Sequence, residues 1–456
     1  MEKPATLTSQ SATPCSFSAN GSRLAGYASV CLRISLIFPR TQGGEEVRGE
    51  SRTEGNIMRL VVATSTVFVL TLILALSNTS PSAVAAQLNG RDIFRFDTFG
   101  DEQLWTDTLR LQEAIETVTP ATALAVGLKV DADALPPPVI KALTSGQLDV
   151  NDPRVTRRLL ELNAVVGVIG KVAGDRIQSI GITCAFCHST VDDSLAPGIG
   201  RRLDGWPNLD LNVGAIVALA PGLPDALRDE FRRWGPGKYD PRNHMFDGTN
   251  LTLLNTPSLP VVIPPAYGLR GVGFETFNGD GPISYWNSYV GVTQMGGHGS
   301  FSDPRIGVIV TQKPDLVTPK LPALLAYQLS LTAPPPPAGS FDAAAAARGQ
   351  GIFNGAGRCS TCHIPPLYTD VLSGPDPSIP FLHNAADIGA DPRYAQRSAT
   401  GLYRTTPLRA LWQHGPYFHD GSAADLPAVV NHYDAVFSLG LTAAQKDDLV
   451  EFLRSL

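Results

Sequence analysis

Two short stretches of this 456-residue chain carry residues whose type and spacing can do chemistry: Cys184-Ala185-Phe186-Cys187-His188 and Cys359-Ser360-Thr361-Cys362-His363. Two cysteines separated by two residues reach both vinyl-derived carbons of one haem, and the adjoining histidine turns towards the iron as proximal ligand. Two such stretches predict two covalently attached haem c groups, at Cys184, Cys187 and His188 and at Cys359, Cys362 and His363. The other cysteines, Cys15 and Cys31, lie in an N-terminal region that a processed chain would lack. Two rival readings use the same residues. Four cysteines can hold one zinc, but the pairs lie far apart and zinc does not require the trailing histidines. Dithiol redox pairs would need a thioredoxin-like βαβ surround, and none is legible.

The region before these motifs bears on where haem would be attached. Residues 60–76 are a long apolar run preceded by Arg59 and followed by Ser82-Ala83-Val84-Ala85-Ala86. A positive start, an apolar stretch and small residues at the cleavage point describe a secretory signal peptide over 58–86; an uncleaved membrane anchor is the alternative. Met58 then reads as the initiator, residues 1–57 as not native to the working protein, and Gln87 as the mature start. Haem c attachment takes place outside the cytoplasm, so motif and leader agree on export to the periplasm. The formal net charge is −6 and no basic run is present, which excludes nucleic acid as a natural partner.

The elements that must position the motifs read as mostly α, in two cytochrome c-like haem domains with long irregular insertions. Gln103–Glu116 and Val155–Val168 show apolar residues at helical spacing, and Thr318–Leu331 reads as another helix. The first domain is expected over 87–331. Residues 332–340 (Thr-Ala-Pro-Pro-Pro-Pro-Ala-Gly-Ser) form a stiff linker that no helix can cross. The second domain, 341–456, opens with a helix from Phe341 to Phe353 with Asp342 near its cap. It closes with an amphipathic helix, Thr442–Leu456. Helix, C-x-x-C-H, loops and terminal helix are the order of a small cytochrome c.

Tyr403-Arg404-Thr405-Thr406-Pro407-Leu408-Arg409 and Gly415-Pro416-Tyr417-Phe418-His419-Asp420-Gly421-Ser422 resemble the signature of the bacterial di-haem cytochrome c peroxidase and MauG superfamily, roughly F-K-T-P-x-L-R … P-Y-F-H-D-G-S. Asn255-Thr256-Pro257-Ser258-Leu259 resembles the family's N-A-P-T-L, and Tyr285-Trp286 stands where the family has F-W-D-G-R. The resemblance is strong over about 345–456, patchier over 180–300 and absent before 175. It implies a peroxidase-like or MauG-like oxidoreductase that uses hydrogen peroxide or dioxygen and a small redox protein or other electron donor. The N-terminal haem would react and the C-terminal haem would pass electrons. A pure electron-transfer cytochrome and a dioxygen-using di-haem oxygenase are the alternatives.

Residue roles follow from the same resemblance. Trp286 is the expected bridge between the haems, or a buried core tryptophan. Tyr433 falls where the peroxidases place a methionine ligand, which is the MauG-like arrangement; adjacent His432, or no ligand role at all, are the rivals. The distal histidine of the peroxidases is missing: the chain reads Gly198-Ile199-Gly200-Arg201-Arg202-Leu203-Asp204-Gly205-Trp206, followed by an insertion over 207–254. Gln294, His298 and Arg201 are then the expected distal groups, with Met295 or His244 as alternative sixth ligands. Asn255, with the carbonyls of His414 and Pro416, matches the family's calcium ligands.

Overall fold

The computed structural model describes residues 88–456, apart from 243, 254–255 and 373–380. The signal-peptide and start-site expectations therefore lie outside the described residues. The protein is mostly helical, and its strands are short and paired two by two. Among the described residues no helix is long and apolar enough to cross a membrane.

Three apolar cores hold it together. The largest is drawn from residues 93–324, a second from 353–453, and a small third joins Val261 to Ala385, Tyr394, Ala395 and Tyr403. In the first core, helix α1 (Gly90–Phe96) buries Ile93 and Phe94, and Asn89 caps it by accepting from the Arg91 amide. Two helical expectations are corrected. Gln103–Glu116 is not one helix: a π-helical turn, Gln103–Thr108, stops at Arg110 with φ 58°, and a short helix resumes at Leu111. Tertiary bonds override the local pattern, because the Trp105 indole donates to the Met295 carbonyl at 2.7 Å and the Thr106 hydroxyl to that of Ile180 at 2.8 Å. Val155–Val168 likewise divides. Helix α2 (Pro153–Glu161) ends before Asn163 at φ 51°, and Val168 opens a hairpin of β1 (Val168–Ala173) and β2 (Arg176–Ile182).

That hairpin lies over the first cysteine motif, which forms the short helix α3 (Ala185–His188). Gly167 makes the approach feasible: a Cβ there would stand 2.2 Å from Phe186 Cα. The chain then doubles back in β3 (Ser189–Val191) against β4 (Arg202–Asp204). Further along, β5 (Lys238–Tyr239) pairs antiparallel with β6 (Val261–Val262), and helix α4 (Ile283–Tyr289) follows. Helix α5 (Leu321–Gln328) falls within the expected 318–331 segment.

The 332–340 segment has no regular structure, as four prolines dictate. It is not a free spacer, since the Pro334 carbonyl accepts from the Trp412 indole at 3.4 Å. The second core follows the sequence reading closely. Helix α6 (Ala343–Asn354) is capped by Asp342, whose carboxylate accepts from the Ala344 and Ala345 amides. Helix α7 (Leu426–Val436) and helix α8 (Ala443–Ser455) complete the group, and a Thr442/Gln445 capping box starts the last. Leu449, Val450, Phe452 and Leu453 are all buried. Helices α6 and α8 touch backbone to backbone, because a Cβ on Gly349 would stand 2.0 Å from the Asp448 carbonyl oxygen. Gly349→Ala should therefore force the helices apart and cost about 1–3 kcal/mol, read as a lowered thermal midpoint.

Candidate functional site

The two motif histidines are held alike. His188 Nδ1 lies 3.1 Å from the Pro264 carbonyl oxygen, and His363 Nδ1 lies 2.9 Å from that of Tyr368. A carbonyl only accepts, so each Nδ1 carries the proton and each Nε2 keeps its lone pair. Burial pushes His188 down to about 4 and lowers His363, so both rings stay neutral and able to bind a metal. Burial raises the thiols of Cys184 and Cys187 to about 12 and that of Cys359 to about 11, and raises that of Cys362. Among the described residues the two pairs form no common metal cluster.

Beside the second motif lies a cavity of about 650 Å³, lined by Cys359, Cys362, His363 and Tyr433 together with Leu408, Leu426 and Val430. That volume lies within the roughly 300–1,000 Å³ of cofactor sites. Its charge is also telling. Arg404 and Arg409 line it, and the one carboxylate they share is buried Glu275, at 3.0 and 3.9 Å. The Nε atoms of both arginines are buried without a partner. A largely apolar slot whose wall carries Arg358, Arg404 and Arg409 as well as Asp391 and Asp420 admits a flat hydrophobic cofactor, and its arginines could pair with the propionates of a haem. Burial pushes Tyr433 up to about 12, and the nearby Cys362 and Cys359 sulfurs add to the shift. Its hydroxyl makes no hydrogen bond to a described residue. His432 Nε2, by contrast, is engaged by the Ile388 carbonyl at 3.0 Å.

The first motif meets a different environment. Tyr239 pairs with Val261 of β6, and the chain runs on from β6 to the Pro264 that holds His188; the Tyr239 hydroxyl donates to Gln294 Oε1 at 2.5 Å. The Gln294 amide donates on to the Tyr289 hydroxyl at 3.2 Å, which donates to the Pro241 carbonyl at 2.5 Å. His244 Nε2 stands 3.3 Å from the Tyr239 hydroxyl, while its Nδ1 is buried and unpartnered. Trp286 packs edge-on against Tyr289 at 5.7 Å and donates its indole N–H to the Glu275 carbonyl at 3.0 Å. It thus touches the same Glu275 whose carboxylate serves the second cavity.

Gln294 and Trp286 are therefore brought together, whereas two other expected residues are not. His298 sits in a separate group, its Nδ1 3.2 Å from Gln103 Oε1. Arg201 is exposed and paired with Asp192 at 3.0 Å, away from this network. Met295 is buried and uses its carbonyl to hold Trp105. Asn255 lies outside the described residues. Sequence reading missed Tyr239, because the 207–254 insertion offers no periodicity or motif to single it out. Arg404 and Arg409 lay in plain view inside the quoted Y-R-T-T-P-L-R stretch, but their charge imbalance needs three dimensions.

C-x-x-C-H histidines fixed by backbone carbonyls, one of them beside a cavity of cofactor size, are the arrangement expected of a c-type cytochrome. No protein-family model matches the chain. Curated relatives do. A cytochrome-c peroxidase, IdrP2, of Denitromonas iodatirespirans is 29% identical over 24% of this chain and 38% of its own length. The methylamine utilization protein MauG of Methylorubrum extorquens is 32% identical over 24% and 34%, and IdrP1 of Denitromonas iodatirespirans is 30% identical over 25% and 40%. Over the matched segment the chain is similar to members of the bacterial di-haem cytochrome c peroxidase and MauG superfamily. The chain spans 34–40% of the length of the curated relatives it matches, so their whole-protein activities do not transfer by similarity alone. Among solved structures, a MauG-like protein associated with microbial copper homeostasis aligns at TM-score 0.31 and 19% identity, covering 44% of this chain and 74% of that one. Hydrazine synthase of Kuenenia stuttgartiensis aligns at 0.30 and 20%, covering 47% and 76%. Superpositions that loose fix no residue correspondence.

The buried histidines set an acid limit on the fold. Burial pushes His244 and His414 down to about 4. Below the ordinary value of 6.5 the unfolded chain takes up protons that the folded chain refuses. Stability should therefore fall as pH drops from 6.5 towards 4 and level off below that. His244→Phe should make this fall shallower by up to about 1.4 kcal/mol per pH unit, measured by denaturant titration across that range.

Proposed function

We propose that this chain is an exported di-haem c-type oxidoreductase, peroxidase-like or MauG-like, whose first haem site reacts and whose second passes electrons. One haem would be held by Cys184, Cys187 and His188, the other by Cys359, Cys362 and His363. The observation that carries the reading is the inequality of the two surroundings. A hydrogen-bonded chain of polar side chains, from His244 through Tyr239 and Gln294 to Tyr289, lies near the first motif. The second motif has an apolar slot with Tyr433 in its wall.

A haem bound at each motif supplies redox-active iron; the protein's own residues supply the rest. His188 and His363 present Nε2 because their Nδ1 protons are fixed by carbonyls. Gln294 is held at both ends of its amide, so its position is set before any substrate arrives. Trp286 lies in ring contact with that polar chain and bonded to Glu275, which supports it as the route between the sites. Among the described residues the Tyr433 hydroxyl has no hydrogen-bond partner, whereas His432 Nε2 is engaged by the Ile388 carbonyl, and this favours the MauG-like ligand. Phenolate ligation would lower the potential of the second site. Hydrogen peroxide or dioxygen is the oxidant, and a small redox protein or other donor returns the electrons. The 207–254 insertion furnishes Tyr239 and His244, a polar contribution that weighs against its having evolved only as an apolar substrate pocket.

Electronic and EPR spectra of the oxidised protein test the proposal. One high-spin or water-bound signal and one low-spin signal are expected. Changing both cysteines of either motif to alanine should remove one covalent haem by mass, and Tyr433→Phe should alter only the low-spin signal. Gln294→Ala should slow the peroxide reaction by roughly 10²-fold, whereas His298→Ala, in its separate group, should have a much smaller effect. Two low-spin signals that persist on reduction, with no spectral response to peroxide, would make the protein an electron carrier instead.

A further inference from the structure

Among the oxidisable side chains linked to Trp286 and Gln294, one differs in where its proton can go. Tyr239 donates to the Gln294 amide oxygen, and Tyr289 and Trp286 donate to backbone carbonyls. All three acceptors are neutral and weakly basic. Tyr285 instead donates to a carboxylate, Asp303 Oδ2, at 2.8 Å. Its ring lies 5.5 Å from Trp286, edge-on, and 6.3 Å from Tyr289 at an interplanar angle of 6°. Tyr285 is part-buried, whereas the rings of Trp286 and Tyr289 are buried, so solvent reaches this pair of contacts at Tyr285.

We propose that Tyr285, with Asp303 as its proton acceptor, is a second oxidation site at which small phenolic reductants deliver electrons to the peroxide-reducing end of the protein. The inference rests on the peroxidase-like reading above and adds a substrate class and a place for it.

A phenol that loses one electron becomes a strong acid, so its oxidation is easy only where a base takes the proton at the same time. Asp303 is such a base. Its bonds to Arg305 hold it down at about 2, so it is a carboxylate at neutral pH. The step is Tyr285–OH plus Asp303 carboxylate giving the neutral tyrosyl radical, the Asp303 acid and one electron. Because electron and proton leave together, the ring gains no charge. The Arg305 guanidinium, 5.7 Å from the ring centre, then has little to repel. Trp286 is in the reverse position. Its N–H faces a carbonyl that cannot take the proton, and the Arg242 guanidinium lies 5.5 Å from its ring. Loss of an electron there would build positive charge beside a cation in a buried setting. A vacancy passing through Trp286 therefore comes to rest on Tyr285.

A phenol ArOH restores Tyr285 by giving up a hydrogen atom and leaving as ArO•, after which Asp303 releases its proton. Two such turns supply the two electrons and two protons that convert one hydrogen peroxide to two waters.

The test uses the full-length holoprotein, mixed with hydrogen peroxide and frozen rapidly for EPR, with guaiacol as the phenolic probe. The wild type should show a tyrosyl signal. Tyr285→Phe should abolish that signal, and Asp303→Asn, which keeps a hydrogen-bond acceptor but removes the base, should cut guaiacol oxidation by roughly 10²-fold. Tyr327 also donates to a carboxylate, that of Asp204, but its ring meets only Phe94. Tyr327→Phe should change neither readout. A tyrosyl signal and guaiacol rate retained in Tyr285→Phe would overturn the proposal while the haem bands still respond to peroxide. No response of those bands in the wild type would remove the peroxidase-like reading, and this site with it.

Discussion

Glu275 sits where the demands on this fold meet. Its carboxylate is buried against Arg404 and Arg409, contributed by the C-terminal part of the chain, and its backbone oxygen takes the Trp286 indole. Buried charges survive only when paired, and a lost partner costs several kcal/mol. One carboxylate against two guanidinium groups is an incomplete pairing. Both arginines also line the cavity beside Cys359, Cys362 and His363, where Asp391 and Asp420 stand as well. Arg397 and Asp240 make a second such link between early and late segments, at 3.1 Å. These ion pairs join the small third core in linking residues on either side of the proline-rich segment.

The two motifs share a local geometry and differ in everything around it. Each histidine is neutral, buried and fixed by a carbonyl, a requirement of any imidazole that must keep one nitrogen free. Beyond that first contact, one site faces a relay of hydroxyl and amide groups with defined direction, and the other a wall of leucine and valine. Polar networks of this kind are stable only if every member is satisfied. Here the exception is His244 Nδ1, left bare between Phe231 and Trp234.

Sequence reading succeeded where local signals and tertiary packing agree. Helices α6 and α8 have side-chain caps, an apolar face and no competing long-range bond, so their limits were legible to within a residue or two. The C-x-x-C-H turns were legible because covalent chemistry demands fixed spacing. The reading failed at Gln103–Glu116, where bonds to residues 180 and 295 bend the backbone, and at Val168, where β-branched residues joined a hairpin. For the distal groups it offered Gln294, His298 and Arg201 alike; the fold joins Gln294 to Tyr239 and Tyr289 and sets the other two apart, a grouping that spacing alone could not give. Tyr239 lay in an insertion with no pattern at all. Charge balance among Glu275, Arg404 and Arg409 is a property of juxtaposition, and no linear signal encodes it.

The segment from Val262 to Pro265 has two faces. The Pro264 carbonyl fixes the ring of His188, while Val262, Ile263, Pro264 and Pro265 line the cavity beside His363. Consecutive prolines have fixed φ and little freedom to yield, so this partition behaves as a stiff plate pressed from both sides. One short stretch of chain thus serves as the wall of the cavity and as the support that orients His188, so a substitution there would disturb both at once.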